Sequence, residues 1–225
     1  MGEEVRTILL EKSVFEVGDA EANALRDKLK SQGTFLVNVM SSPGAGKTST
    51  LTSLINRLKN DYKIAVMEAD IDSDVDAKTI AKNTGVDSIQ LHTGGMCHLD
   101  AFMTETGLNA VDGKRYDLVF LENVGNLVCP AEFDTGATLD MVILSTSEGD
   151  DKPIKYPLVF SKCDLVVISK IDAMKFFTFD MQKCVENIRM RNPHSTIVPL
   201  SNRTGEGVDA LANYFIDKLN KFKQI

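Results

Sequence analysis

The 225-residue sequence has no tryptophan, and aromatic residues make up only 7% of it, so an aliphatic core is expected. Cysteine is scarce. Cys97, Cys129, Cys163 and Cys184 are too few and too scattered for a disulfide scaffold. No Cys or His precedes His92. No apolar run reaches the ~18 residues of a membrane span. The first residues are acidic, with no basic segment leading into an apolar stretch, so no secretory signal is expected. These absences point to the cytoplasm, where thiols stay reduced and paired cysteines more often hold metal than form bridges. An excess of positive charge is also missing. Lys and Arg number 25 against 32 Asp and Glu, a net charge of −7, which argues against binding nucleic acid or an anionic membrane. Long Pro/Ser linkers, low-complexity tracts and fixed-period repeats are absent too. The expectation is one domain over 1–225, with 1–33 as a helical lead-in. A chain of this size buries roughly 70% of its unfolded surface and needs no staple.

What the sequence does contain is alternation. Residues 19–31 have the spacing of an amphipathic helix, with Asp19 as N-cap, ended by Gly33. Short apolar runs predict strands at 35–40, 63–68, 88–91, 117–122, 141–144, 165–169 and 196–200. Helices are expected at 48–58, 99–110, 181–191 and 208–222, and a carboxylate-rich loop at 70–76. Strands alternating with helices imply an α/β fold with a mostly parallel sheet covered by helices on both faces. Ligands of such sheets bind beyond the carboxyl ends of the strands, where all the motifs below fall.

Gly44-Ala45-Gly46-Lys47-Thr48-Ser49 lies between a predicted strand and a predicted helix and reads as a P-loop. Glycine lets backbone N–H groups turn toward phosphate, and the helix N-terminus adds positive potential. Lys47 is expected to reach the β/γ-phosphates and Thr48 to ligate Mg²⁺. Ser41 stands where the pattern has its first glycine. After a later strand, Lys170-Ile171-Asp172 resembles the guanine-recognition motif, with Ser169 in place of Asn. The Asp172 carboxylate can accept from guanine N1–H and the exocyclic amine, donors that adenine does not offer in that geometry. Ser201, Asn202 and Arg203 resemble the loop that backs the base. Asp70 and Glu122, each following a strand, are cation candidates, while Asp72 and Asp74 read as a solvated acidic loop. Cys97-His98 and Cys129-Pro130 each follow a glycine-containing loop. Two thiolates and an imidazole suit Zn²⁺ or Ni²⁺, but spacing alone leaves metal ligands and inert buried thiols equally open. Cys163 and Cys184 have no His neighbour and read as core residues.

Three stretches carry a family resemblance: Glu122-Asn123-Val124-Gly125-Asn126-Leu127-Val128-Cys129-Pro130, Thr93-Gly94-Gly95-Met96-Cys97-His98-Leu99-Asp100-Ala101, and Glu148-Gly149-Asp150-Asp151-Lys152-Pro153. They resemble the HypB family, the P-loop GTPases that deliver nickel during [NiFe]-hydrogenase maturation. The resemblance runs from about 38 to 207. It implies GTP and GDP as nucleotides, Mg²⁺, and Ni²⁺ or Zn²⁺ on Cys97, His98 and Cys129. It implies a GTP-linked homodimer that works with hydrogenase maturation proteins and the hydrogenase large subunit. It selects Asp70 and Asp76 as switch carboxylates. With Glu122 they give a catalytic set of Lys47, Asp70, Asp76 and Glu122, and a Mg²⁺ set of Thr48, Asp70, Asp76 and Glu122. With neither a water-positioning Gln nor an Arg finger evident, hydrolysis is expected to be slow. Alternatives are a urease-type nickel-insertion GTPase, which has Cys-Pro-His where this chain splits the elements; a nucleotide-gated scaffold on structural zinc; and an ATP-using kinase.

Overall fold

The computed structural model describes residues 6–9, 18–70, 73–111 and 115–224. The elements in chain order are β1 (Arg6–Leu9), α1 (Gly18–Gln32), β2 (Phe35–Ser41), α2 (Lys47–Leu58), β3 (Ile64–Asp70), α3 (Val75–Thr84), β4 (Asp87–His92), α4 (Ala101–Asn109), β5 (Leu118–Glu122), α5 (Cys129–Glu132), β6 (Leu139–Ser145), α6 (Lys152–Lys155), α7 (Pro157–Lys162), β7 (Leu165–Ser169), a 3-10 turn (Ile171–Phe176), α8 (Met181–Arg191), β8 (Thr196–Pro199) and α9 (Val208–Lys223). The eight strands form one sheet in the order β1-β4-β3-β5-β2-β6-β7-β8, with every neighbouring pair parallel.

Burial on both faces explains why the strands read as continuous apolar runs. In β2 all seven residues are buried. Phe35, Val37 and Val39 face one way and pack with Leu51, Leu54 and Leu58 of α2 and Leu211, Phe215 and Leu219 of α9. Leu36 faces the other way, onto Ala22, Leu25 and Leu29 of α1 and Met103 of α4. Met40 joins a neighbouring cluster with Val142, Phe160, Cys163, Cys184 and Ile188. Asn38 is the polar exception in β2. Its Nδ2 donates to Asp140 at 2.8 Å, and its Oδ1 accepts from Asn123 Nδ2 at 3.0 Å. The buried amide is thereby satisfied from both ends.

Three expectations are corrected. The N-terminal lead-in is not wholly helical, because β1 (Arg6–Leu9) extends the sheet edge along β4. Asp19 sits within the first turn of α1 and does not precede it. The acidic loop is shorter than expected, since α3 starts at Val75 and carries Asp76 in its first turn. Ala77, Ile80, Ala81 and Thr84 form the buried stripe that makes this a helix, which the carboxylate run had masked. Ile71 and Asp72 lie outside the described residues. The short helices α5, α6 and α7 each begin with Pro in the first turn, where its missing N–H leaves no bond unmade.

One backbone position sets the loop between β8 and α9. Gly207 caps α9 with φ +81, and a Cβ there would lie 2.1 Å from the Pro199 carbonyl oxygen. Gly207→Ala combines left-handed strain with a backbone clash. It is expected to destabilise the fold by roughly 3 kcal/mol, read as a lower urea midpoint at unchanged slope.

Candidate nucleotide and metal site

The loop after β2 is built for an anion. Gly44 and Gly46 adopt φ 75 and φ 98, a region that side chains disfavour. Gly46 is the N-cap of α2 and brings no side-chain cap, so the first-turn N–H groups keep their donors for a ligand. Ser41, in the place of the missing glycine, is fully buried, and its Oγ accepts from Lys47 Nζ at 3.2 Å and donates to the Ser42 carbonyl at 2.7 Å. Thr48 Oγ1 donates to Glu122 Oε1 at 3.2 Å.

The residues expected to recognise the base clamp the same loop. Ser169 Oγ donates to the Ala45 carbonyl at 2.6 Å, and Lys170 Nζ donates to the Gly44 carbonyl at 2.6 Å. Among the described residues Lys170 alone of the non-glycines has positive φ, at 60, which turns the chain sharply as it leaves β7. Asp172 Oδ1 accepts from Ser201 Oγ at 2.7 Å. Asn202 Nδ2 donates to Thr50 Oγ1 at 3.0 Å. Arg203 and Asn202 line an open cleft of about 430 Å³ with Thr48 and Ser49.

Three carboxylates meet beside Thr48. Ligand oxygens of Glu68, Asp76 and Glu122 lie within 4.8 Å of one another. Glu68 and Glu122 are direct partners in the β3–β5 register, and both are buried. Burial, then the charge of Glu122, pushes the Glu68 carboxyl up to about 8. Burial also pushes Glu122 up to about 7, with Lys47 pulling in the opposite direction. Of the expected Mg²⁺ set, Thr48, Asp76 and Glu122 converge. Asp70 falls outside this cluster and accepts the Ser73 N–H at 2.9 Å. Glu68 was missed. Its signal was a glutamate inside the apolar strand Ile64-Ala65-Val66-Met67-Glu68.

The proposed metal ligands come together only in part. The Cys97 and Cys129 thiols approach each other, and the influence of Cys129 is the chief cause that raises the Cys97 thiol above its ordinary value. His98 does not close a three-ligand group with them: among the described residues the one such group is the carboxylate cluster. The His98 ring is buried and stacks on Phe133 at 3.6 Å and 9°, and burial lowers its pKa. Cys163 and Cys184 are buried, with thiols pushed up to about 12, as inert core residues should be.

The loop from Glu122 to Cys129 bridges the two centres. Asn126 forms an antiparallel bridge with Ser41 of β2. A Cβ on Gly125 would lie 3.2 Å from Pro43 Cγ in the phosphate loop. Asn126 Nδ2 donates to the Cys97 carbonyl at 3.5 Å.

A parallel sheet with a glycine loop between strand and helix, and a buried acidic residue on the adjoining strand, defines a P-loop nucleotide-binding domain. The comparisons narrow this. The family described as CobW/HypB/UreG, nucleotide-binding domain, matches residues 35–199. The hydrogenase maturation factor HypB of Rhizobium leguminosarum bv. viciae is 42% identical over 205 residues, which is 91% of this chain and 68% of that protein. The hydrogenase/urease maturation factor HypB of Helicobacter hepaticus is 38% identical over 217 residues, which is 95% of this chain and 88% of that protein. The structure of HypB from Helicobacter pylori in complex with nickel superposes with a TM-score of 0.85 at 34% identity, covering 90% of this chain and 95% of that one. This chain belongs to the HypB hydrogenase maturation factors within the CobW/HypB/UreG family, and it is a GTPase of that family. Among the described residues no helix is long and apolar enough to cross a membrane.

The carboxylate cluster predicts a pH dependence. Free glutamate titrates near 4.5, whereas Glu68 and Glu122 titrate in the fold at about 8 and about 7. Between these values the folded state binds protons that the unfolded chain has released, so its stability falls as pH rises. With chelator present and nucleotide removed, the urea midpoint is expected to fall between about pH 5 and 8, and Glu68→Gln should flatten the slope. A level wild-type profile would contradict the burial of the two carboxyls.

Proposed function

We propose that the chain acts as a single-domain GTPase whose nucleotide state governs its hold on nickel destined for [NiFe]-hydrogenase. The observation that carries this is the loop after β5, which starts at Glu122 beside Thr48, rests Gly125 on Pro43, and ends at Cys129 against Cys97. Whatever moves the phosphate loop moves a thiol.

In this reading, backbone N–H groups from Gly44 to Ser49 cradle the phosphates. Lys47 leaves Ser41 Oγ to meet β/γ-phosphate oxygens, and Ser41 is a resting partner that keeps its ammonium placed. Asp172, oriented by Ser201, accepts from guanine N1–H and the exocyclic amine, while the Lys170 stem lies over the base with Ser169 holding the loop beneath. Asn202 and Arg203 border the base from the far side. Thr48, Asp76 and Glu122, with Asp70 at the rim, offer the hard oxygens that suit Mg²⁺. The buried Glu122 Oε2 without a partner supports that fit. Bound there, Mg²⁺ would neutralise phosphate charge during transfer to water. Lys47 and the helix N-terminus stabilise the same charge, Glu122 holds Thr48, and Asp70 orders the turn after β3 through the Ser73 N–H.

Cys97 and Cys129 are the nickel ligands of this reading, and Zn²⁺ suits them as well. Two thiols leave a four-coordinate ion incomplete. A second copy of the chain would complete it, which is the basis for a GTP-linked homodimer. His98 joins the site only by leaving Phe133. The nickel named in the Helicobacter pylori neighbour supports the cargo, and hydrogenase maturation proteins with the hydrogenase large subunit are the expected recipients.

Coupling between the sites must be reciprocal. Ni²⁺ titrations with GDP and with a non-hydrolysable GTP analogue are expected to differ by roughly 5- to 150-fold, a coupling of about 1–3 kcal/mol. Equal affinities would refute the coupling. Cys129→Ala should weaken Ni²⁺ binding while GTP binding persists; an unchanged titration removes Cys129 from the site. Asp172→Asn should erode the preference for GTP over ATP by about tenfold or more in competition binding.

A further inference from the structure

We propose that the cavity between α1, α5 and α7 is a binding site for a primary alkylammonium group, such as a small diamine or a lysine side chain carries. Binding there depends on neither the nucleotide reading nor the nickel reading.

The cavity measures about 290 Å³, and its walls divide by chemistry. Met40 of β2, Ala131 of α5, Phe133 and Val159 of α7 give it an apolar lining. Its charge comes from four carboxylates, Asp19, Glu132, Asp134 and Asp140, against two cations, Arg26 and Lys162. The pairing among them leaves the negative charge in excess. The Arg26 guanidinium is taken by Asp134, and its Nε donates to the Ala137 carbonyl at 2.9 Å. Lys162 Nζ donates to the Ala131 carbonyl at 2.9 Å and makes no ion pair among the described residues. Asp140 is the group that calls for an occupant. Its Oδ1 accepts from Asn38 Nδ2 at 2.8 Å, and among the described residues no hydrogen bond falls on Oδ2. Burial is the chief cause that pushes its carboxyl up to about 6; Asp164 and Asp134 push the same way, while Asn38 and Arg26 pull the other. An ammonium on Oδ2 would offset the charge that burial penalises. A bare metal ion is a poorer fit, because it needs converging oxygens. Among the described residues the one group of three or more such ligands that converges is Glu68, Asp76 and Glu122, elsewhere in the fold. Carboxylates spread around an apolar lining suit a charge carried on a hydrocarbon stem. Phe133 also stacks on His98, and α5 starts at Cys129, so an occupant borders the thiol-bearing segment.

The test is an amide NMR titration of the full chain with n-pentylamine near neutral pH. Saturable shifts are expected at the Ala131, Phe133 and Thr135 amides, with a dissociation constant of roughly 1 mM. The alcohol n-pentanol and the anion valerate, of the same length, should bind roughly tenfold or more weakly. Asp140→Asn should weaken n-pentylamine binding by roughly tenfold or more. Lys162→Met removes a like charge and should tighten it by roughly two- to fivefold. Binding should also fall as pH drops below about 6, where Asp140 takes up its proton. Thermal melting of each variant confirms the fold. Lys162→Met leaves the Asn38–Asp140 bond untouched, so it decides the matter if Asp140→Asn does not fold. Butane-1,4-diamine and the methylamide of Nα-acetyl-lysine are titrated alongside. Tighter binding of the first points to a free diamine and tighter binding of the second to a lysine side chain, and either supports the site. Shifts that do not saturate, shifts confined to other parts of the fold, equal binding of amine, alcohol and acid, or equal binding by wild type and both variants overturns the inference.

Discussion

The parallel pairing of β2 with β5 is the constraint on which the rest depends. Val39 lies opposite Glu122 in that pairing, so the strand feeding the phosphate loop and the strand ending in the acidic residue stop at the same edge. Thr48, one residue into α2, then finds Glu122 at hydrogen-bond distance. The β3–β5 register places Glu68 beside Glu122 on the same row. A one-residue slip of β5 would turn Glu122 to the opposite face and Leu121 to this one. Apolar burial on both faces therefore secures the site: Leu118 and Phe120 must face α2 and α9, and Val119 and Leu121 must face α1 and α4.

The same packing fixes the first residue of the loop after β5. Asn123 is pinned, since its N–H donates to the Val39 carbonyl and its side chain donates to Asn38, which in turn donates to Asp140. Asp140, its carboxyl pushed up to about 6 by burial, lies near the Arg26–Asp134 ion pair that fastens α1 to the segment after α5. This buried relay stops the strand end from shifting. Beyond it, Val124 and Leu127 are buried in the core on either side, and Gly125 and Asn126 between them face the phosphate loop and the Cys97 segment.

Much of this was legible in the chain. Glycine loops and short aliphatic runs mark β2, the P-loop and β7, and the predicted helix at 181–191 matches α8. What was hidden has physical reasons. β1 is four residues on a sheet edge and offers no period to count. α3 begins amid aspartates whose charge looks like loop. Glu68 ends an apolar run, and only the register with β5 reveals that its carboxyl faces another. The His98 ring is held by Phe133, 35 positions away in sequence, a contact no local motif reports. Cys97 and Cys129 meet because two loops from the same sheet edge converge, which spacing alone did not decide.

The charge distribution bears on how the proposed coupling would start. Lys47 sits near both Ser41 Oγ and the buried Glu122, so in the proposed reading an incoming triphosphate would compete for that ammonium and remove one of the influences that favour ionised Glu122. The change acts at the root of a loop whose first residue is clamped and whose next contact, Gly125 on Pro43, belongs to the phosphate loop itself. With Asn123 fixed, displacement of Pro43 would fall on Gly125 and Asn126, between Asn123 and the core residue Leu127. Gly125 has no side chain to resist, and Asn126 touches both Ser41 and Cys97. In the proposed coupling, a movement of a few tenths of an ångström there would alter the thiol–thiol contact, because hydrogen-bonding contacts weaken steeply with distance and angle.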